Sequence, residues 1–185
     1  MSELWLVRHG ETAWSASGRH TSTTDVPLEP QGEEVARSLR PRLADVGFTE
    51  VLTSPRQRAR RTAELAGFPD AEVCGDLVEW AYGEYEGVTT PEIRETVPGW
   101  TIWTHPAPGG ETAEQVRTRL DRLLTRLRDV DGPVLLVGHS HALRALTARW
   151  LGLDVSGGRF FKLDTATVSV LAHERETPVV LRWNS

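Results

Sequence analysis

Two short runs of this sequence, residues 4–7 and 134–137, are continuously apolar, and they restrict the fold more than any other feature. Strands with both faces covered contain such runs, because neither face meets water. Helices are predicted between the strand-like runs, at residues 33–43 and 111–129 from helical apolar spacing, and also at residues 55–67 and 140–151. Strands that alternate with helices form right-handed βαβ units. We therefore predict the α/β class: a three-layer α/β/α sandwich with a mostly parallel sheet, in a single domain that spans residues 1–185.

Local signals predict the remaining boundaries. Ser54 is expected to cap the second helix, with proline in its first position, and Thr90 to cap a short helix over residues 91–97. Pro41 lies within the first helical pattern and predicts a kink or a break there. Residues 11–30 are polar and are interpreted as a long functional loop. The other predicted strands cover residues 48–53, 72–74, 167–171 and 179–183.

The composition excludes several classes of protein. Charged residues make up 25% of the chain, and no apolar run approaches the roughly 18 residues of a membrane-spanning helix, so we expect no membrane association. The net charge of −5 argues against a nucleic-acid partner. Residues 1–6 contain no basic stretch, and we expect no signal peptide. The single cysteine, Cys74, allows no internal disulfide, which favours the cytoplasm, while a monomer and a homodimer fit the sequence equally well.

Residues that suit anion binding follow three of the predicted strands. Arg8 and His9 follow the first strand, and Arg58 lies just beyond the second. His139 and Ser140 follow the third of these strands, residues 134–137, and a new helix is predicted to begin at about Ser140. Ligands of open α/β sheets bind at the carboxyl ends of the strands, so these side chains are expected to meet there. The N-terminus of the last helix would add backbone N–H groups for an anion.

Two histidines and two arginines in one crevice indicate phosphoryl chemistry. Arginine forks bind phosphate oxygens bidentately and keep their charge. One imidazole nitrogen can attack phosphorus if the other is held by a hydrogen bond. A second histidine can stabilise the charge that develops on the phosphoryl oxygens. Because the guanidinium groups supply the positive charge, we expect neither a metal nor any other cofactor.

Four blocks of sequence carry these residues and one further acid: Leu6-Val7-Arg8-His9-Gly10-Glu11-Thr12, Ser54-Pro55-Arg56-Gln57-Arg58-Ala59, Leu77-Val78-Glu79 and Val137-Gly138-His139-Ser140. In order and spacing the blocks resemble those of the histidine phosphatase superfamily, in its phosphoglycerate-mutase-like branch. The resemblance covers most of the chain. Within the branch, the chain looks more like the small sugar-phosphate and broad-specificity acid phosphatases than like the mutases.

The resemblance implies a role for each matching residue. His9 would become phosphorylated, and Arg8 and Arg58 would bind the phosphoryl group. His139 would be the second histidine of the pocket. Glu79 would protonate the leaving oxygen and then activate water, a transfer that typically contributes about 10²- to 10⁴-fold to the rate. The substrate would be a small phosphorylated metabolite such as a sugar phosphate.

Further substrate contacts are expected beside the catalytic groups. The predicted substrate-binding residues are Arg8, Ser15, Thr21, Ser22, Arg58 and Ser140. Ser15 stands where many relatives have asparagine, and its shorter side chain can still donate to phosphate. For Glu11 and His20, contact with substrate and a purely structural role remain equally open. His141 is expected to point elsewhere, and a metal site built on His139 and His141 lacks further ligands with convincing spacing.

Two other functions compete with hydrolysis. One is phosphoglycerate mutase activity, although true mutases tend to be longer between the acid and the second histidine. The other is a phosphate-binding module without catalysis, which the presence of all five catalytic positions opposes. The sequence favours hydrolysis of a phosphomonoester and leaves the substrate unidentified.

Overall fold

The computed structural model describes residues 3–185, so Met1 and Ser2, with which the predicted domain begins, lie outside the described residues. Six strands form one sheet in the order β3-β2-β4-β1-β5-β6. Neighbours are parallel from β3 to β1, whereas β5 is antiparallel to both β1 and β6. The prediction of a mostly parallel sheet is therefore confirmed. The strands are β1 Leu4–Arg8, β2 Glu50–Thr53, β3 Glu72–Val73, β4 Val134–Gly138, β5 Val168–Glu174 and β6 Thr177–Arg182.

Helices cover both faces of this sheet. They are α1 Ala13–Ala16, α2 Pro30–Ser38, α3 Arg40–Leu43, α4 Gln57–Leu65, α5 Thr90–Thr96, α6 Ala113–Leu127 and α7 Ser140–Trp150. Leu136 of β4 packs in a cluster with residues of α6 and α7, and its neighbour Val137 packs in a second cluster with residues of α3 and α4. Successive strand residues point to opposite faces, so the continuously apolar strands predicted from sequence serve both clusters. The predicted three-layer α/β/α sandwich is confirmed.

Several local predictions need correction. Ser54 does not cap the second helix; α4 begins at Gln57 with Arg56 as its N-cap, and the Ser54 hydroxyl lies 2.8 Å from Nε2 of His139. The cap of α5 is Thr89 rather than Thr90, because Thr89 and Glu92 form a reciprocal capping box. A similar box, built by Thr12 and Ser15, forms the short helix α1 inside the predicted loop.

Pro41 divides the first helical segment as predicted. Helix α2 ends at Ser38, and α3 begins at Arg40, which places Pro41 in the first turn of a new helix. A proline has no N–H to donate and its ring collides with the carbonyl four residues earlier, so a continuous helix cannot pass through it. The first turn tolerates proline because its N–H groups have no partner within the helix.

The strand register brings the ends of three strands to one edge of the sheet. Arg8 at the end of β1 pairs with Gly138 at the end of β4, and Thr53 at the end of β2 pairs with Val137. The residues that follow these strands therefore emerge side by side. His9 continues the ladder, since its backbone N–H donates to the carbonyl of Gly138.

Candidate active site

His9 is held so that one ring nitrogen is committed and the other is free. Its Nδ1 lies 2.7 Å from the carbonyl oxygen of Gly10. A carbonyl can only accept, so Nδ1 carries the proton and the lone pair resides on Nε2. Gly10 permits this close turn, because a Cβ at that position would lie 2.5 Å from the carbonyl oxygen of Gly32. The local geometry thus selects the tautomer that a nucleophilic imidazole requires.

The surroundings keep His9 uncharged. Burial first, and then the positive charges of Arg8 and Arg58, hold the pKa of His9 well below its ordinary value. A neutral imidazole retains its lone pair at neutral pH and can attack an electrophile. The same two arginines that would attract a phosphate dianion therefore keep the neighbouring base unprotonated.

His139 lies behind His9 with no exposed surface, and the two ring centroids are 5.1 Å apart. Burial, followed by the fields of His9 and Arg58, lowers the pKa of His139 well below its ordinary value. Its Nδ1 is buried and has no hydrogen-bond partner within residues 3–185. A buried nitrogen without a partner is costly, which is consistent with a site completed by a ligand.

Two guanidinium groups flank the histidines, that of the fully buried Arg58 and that of the partly buried Arg8. Arg8 donates from Nη1 to the carbonyl of Leu163, and Arg58 donates to carbonyls that include Thr24. The Nε atoms of both arginines are buried without an acceptor in the described part of the chain. Guanidinium groups that retain buried, unused donors form a site for an oxyanion.

Glu79 is buried where α7 begins. Its carboxylate accepts backbone N–H groups from Trp80, His141 and Ala142 at 2.8–3.0 Å. Burial raises the pKa of Glu79, although these three N–H groups and Arg8 oppose the shift. The carboxyl group consequently keeps its proton to higher pH than an exposed glutamate does, as a general acid must.

A cavity of about 190 Å³ collects most of the predicted residues. Its walls are formed by Arg8, His9, Ser15, Gly18, Arg19, His20, Thr21, Glu79, Tyr82, Ser140, His141 and Arg144. Arg58 and His139 are fully buried beside His9 rather than in the cavity wall. Larger depressions exist elsewhere, such as one of about 450 Å³ beside Arg60, but they lack this set of histidines and Glu79.

Ser22 does not line the cavity, in contrast to the prediction. Its hydroxyl donates to Glu86, whose carboxylate also accepts the N–H groups of Ser22 and Thr24. The carboxylate thus ties the loop after α1 to the segment that contains Glu86, and it engages the Ser22 hydroxyl outside the cavity wall. Glu11 is also absent from the cavity wall, whereas His20 is present in it.

The prediction for His141 was wrong, because its ring lies in the cavity wall. Nδ1 of His141 is 2.5 Å from the hydroxyl of Tyr82, which also lines the cavity. The helix begins at Ser140, so the first turn carries His141 to the same cavity as His9 and Glu79. Sequence reasoning also missed Tyr82, Arg19 and Arg144. Only Arg144 had a signal: it follows Ser140 by four residues on a helix, which places both on one face.

The described residues contain no group of three or more histidine, cysteine, aspartate or glutamate side chains that could hold a metal ion. Between residues 3 and 185, no helix has the length and apolar character needed to cross a membrane.

Stability should fall in acid because the cavity buries neutral imidazoles. The pKa of His20 is lowered to about 4 by burial, and burial also holds the pKa of His141 well below its ordinary value. The unfolded chain protonates these groups near pH 6.5, whereas the folded chain keeps them neutral. The free energy of unfolding therefore has its full value above that pH and decreases as the pH falls toward 4. We expect His20→Gln to reduce the slope of unfolding free energy between pH 6 and 4.5 by up to roughly 1.4 kcal/mol per pH unit. Denaturant unfolding across this range measures it, and identical slopes would contradict the role of His20.

Comparison with known proteins agrees with this geometry. The family model described as histidine phosphatase superfamily (branch 1) matches residues 4–185. An acid phosphatase of Mycobacterium tuberculosis is 42% identical over 92% of this chain and 86% of its own length. A sedoheptulose 1,7-bisphosphatase of Saccharomyces cerevisiae is 36% identical over 81% of this chain and 68% of its own length. A solved structure of an open reading frame from Mycobacterium tuberculosis superimposes with a TM-score of 0.95 at 40% identity, covering 99% of this chain and 97% of the other.

Proposed function

The chain belongs to the histidine phosphatase superfamily, branch 1, and from this premise we propose that it hydrolyses small phosphorylated metabolites through a phosphohistidine on His9. The observation that carries the proposal is the state of His9. Its Nδ1 is held by the carbonyl of Gly10, its Nε2 is free, and the charges of Arg8 and Arg58 act on it. Glu79 faces the same cavity.

In the first step Nε2 of His9 attacks phosphorus in line with the leaving oxygen. A nitrogen–phosphorus bond forms and the phosphorus–oxygen bond of the ester breaks. The carboxyl group of Glu79 gives its proton to the departing oxygen, so the product leaves as an alcohol rather than an alkoxide. Arg8, Arg58 and His139 stabilise the charge on the transferred group.

In the second step the Glu79 carboxylate accepts a proton from water. The oxygen of that water attacks phosphorus, the nitrogen–phosphorus bond breaks, and its electron pair returns to Nε2 of His9. Inorganic phosphate leaves with its charge balanced by the arginines, and Glu79 is protonated again. The two steps together consume one water, and both catalytic groups are restored.

The size of the cavity supports a small substrate. Drug-sized ligands occupy pockets of roughly 300–1,000 Å³, whereas this cavity measures about 190 Å³. The names of the relatives, an acid phosphatase and a sedoheptulose 1,7-bisphosphatase, support phosphorylated metabolites such as sugar phosphates. Ser15, Thr21 and Ser140 stand in the wall. The hydroxyl of Ser15 is engaged with Thr12 and that of Thr21 donates to the carbonyl of Arg19, so Ser140 is the one of the three that we assign to the phosphoryl or sugar oxygens.

Product analysis with 3-phosphoglycerate in excess EDTA separates hydrolysis from mutase activity. We expect stoichiometric release of inorganic phosphate and glycerate, at the same rate with and without EDTA, because arginines supply the positive charge. Isomerised phosphoglycerate without free phosphate would contradict the phosphatase mechanism. Loss of activity in EDTA that returns on addition of a divalent cation would contradict metal independence.

We further propose a single domain in the cytoplasm that acts without a nucleic-acid or membrane partner, as a monomer or a homodimer. Cys74 is buried, and burial raises the pKa of its thiol. We therefore assign this side chain to packing and not to catalysis. Light scattering on purified protein distinguishes monomer from homodimer.

A further inference from the structure

Glu86 lies between β3 and α5, and its carboxylate holds the loop after α1. One carboxylate oxygen, Oε1, accepts the N–H of Ser22 at 2.8 Å and the N–H of Thr24 at 2.9 Å. The other, Oε2, accepts the Ser22 hydroxyl at 2.5 Å. Because Glu86 is absent from the wall of the cavity that contains His9, any effect it has on the reaction passes through the loop.

The same loop holds Arg58. Nη1 of Arg58 donates to the carbonyl of Thr24 at 3.0 Å, and Nη2 donates to the carbonyls of Thr21 at 3.2 Å and Ser22 at 3.4 Å. Nε of Arg58 is buried and has no acceptor among the described residues. The loop carbonyls therefore fix one end of a guanidinium group whose Nε–H is still available to an oxyanion.

One peptide group connects the carboxylate to the guanidinium. The peptide between Thr21 and Ser22 donates its N–H to Glu86, and its carbonyl oxygen accepts from Arg58. This peptide is trans and planar, so its N–H and its C=O point in opposite directions. A group that fixes the N–H consequently also fixes the direction of the carbonyl. Hydrogen bonds linked in this way polarise and strengthen one another.

Backbone contacts beside Glu86 keep the loop in place independently of the carboxylate. The N–H of Gly87 donates to the carbonyl of His20 at 2.8 Å, and the N–H of His20 donates to the carbonyl of Val88 at 3.0 Å. Arg19 also donates from Nη1 to the carbonyl of Gly87 at 2.8 Å. Loss of the Glu86 carboxylate should therefore shift the carbonyls of the loop without unfolding it.

Arg58 depends on these carbonyls for its orientation. The salt bridge that it forms within residues 3–185 is with Asp25, at 3.9 Å, and the Asp25 side chain is 43% exposed. So long a contact to an exposed carboxylate fixes the guanidinium only weakly. Burial opposes the ionisation of Glu86, but hydrogen bonds from Ser22 and Thr24 hold the pKa of Glu86 below its ordinary value. Glu86 is thus a carboxylate at neutral pH, and both its oxygens accept.

We propose that Glu86 is a positioning residue for Arg58, because its carboxylate fixes the loop carbonyls that direct the guanidinium toward the phosphoryl group. The effect of Glu86 on catalysis rests on the proposed function, whereas its effect on the binding of phosphate is measurable without turnover. Glu86→Gln preserves the shape of the side chain. It replaces one accepting oxygen with an amide nitrogen, which cannot accept from the loop.

The affinity for inorganic phosphate tests the proposal. We expect Glu86→Gln to raise the Kd for phosphate by roughly 10- to 100-fold, the size of effect known for groups that orient metal ligands, and to lower kcat/KM for p-nitrophenyl phosphate by a similar factor. Isothermal titration calorimetry at 25 °C measures the Kd. The matched control is Glu84→Gln, an exposed glutamate two residues away, which should stay within about twofold of the wild type. A Kd for Glu86→Gln within about threefold of the wild type would overturn the proposal.

A double-mutant cycle assigns the effect to Arg58. Arg58→Lys retains the charge but loses the planar fork that the loop carbonyls hold. If Glu86 acts through this fork, Glu86→Gln should change the Kd for phosphate by less than about threefold once residue 58 has been replaced, because coupled sites are not additive. Equal factors with and without Arg58→Lys would contradict the proposal, since Glu86 would then act independently of Arg58.

A purely structural role for Glu86 makes a different prediction. Glu86→Gln would then lower the melting temperature and leave the Kd for phosphate and kcat/KM at 25 °C unchanged, and the positioning role would be rejected. Should Glu86→Gln fail to melt cooperatively, Glu86→Asp decides, because it keeps the charge and withdraws the carboxylate by one methylene. An unchanged Kd in Glu86→Asp also rejects the role. If the variants weaken phosphate binding but the wild type hydrolyses no phosphomonoester, the proposed function fails and the positioning role stands.

Discussion

Replacing His9 with alanine is expected to lower kcat for p-nitrophenyl phosphate by on the order of 10⁴-fold or more. The loss is this large because no covalent intermediate can form. Removing one residue of a group that acts as a unit also abolishes the contribution of the others to the rate. His9 is 6% exposed, so the truncation leaves a small internal space while the rest of the site remains. A colorimetric assay at saturating substrate measures the effect.

The control for this variant is His105→Ala. His105 lies in the segment before α6, lines a different depression and is absent from the wall of the cavity that contains His9. It should therefore retain wild-type turnover. Brief mixing of the wild type with labelled substrate should also yield an acid-labile protein phosphate that His9→Ala lacks. Wild-type turnover by His9→Ala would remove His9 from the mechanism.

Replacing Glu79 with glutamine is expected to produce a loss that depends on the leaving group. With an alkyl phosphate, kcat/KM should fall by about 10²- to 10⁴-fold, since the alkoxide needs a proton as it departs. With 2,4-dinitrophenyl phosphate the loss in kcat/KM should be small, because that leaving group departs as a stable anion. Glutamine preserves the shape of the side chain and at least part of its hydrogen bonding to the N–H groups at the start of α7.

The second role of Glu79 adds a kinetic signature. Because the same carboxylate activates water, Glu79→Gln should show a burst of dinitrophenol followed by slow turnover as the phosphohistidine accumulates. Glu174→Gln, an exposed residue at the end of β5, provides the matched control. Equal losses on both esters, without a burst, would contradict the acid–base role and leave Glu79 a purely structural group.

Much of this site was foreseeable because its central residues follow strands. The apolar runs before His9 and His139 predict buried neighbouring strands, and the register of β1 with β4 places their ends together. Glu79 was different, since it follows no strand and only the family resemblance indicated its place. In the structure it accepts the backbone N–H groups of His141 and Ala142, an arrangement that spacing along the chain does not encode.

The errors for Ser54 and Ser22 share one physical cause. Ser54 has the residue type of a helix cap, but its hydroxyl is engaged by His139, a residue 85 positions away. Ser22 has the residue type of a phosphate ligand, but Glu86 from another segment binds its hydroxyl. In each case a contact distant in sequence competed with the local preference and prevailed.

By itself the sequence determined the layers of the fold, the strands that carry His9 and His139, and the class of chemistry. Those features depend on residue type and on the spacing of apolar residues, and both can be read from neighbouring positions in the chain. Only the tertiary structure decided the tautomer of His9, the exclusion of Ser22 and the presence of His141 and Arg144 in the cavity. These depend on which groups lie within a few ångströms in space, because hydrogen bonds, burial and charge act over distance rather than along the chain.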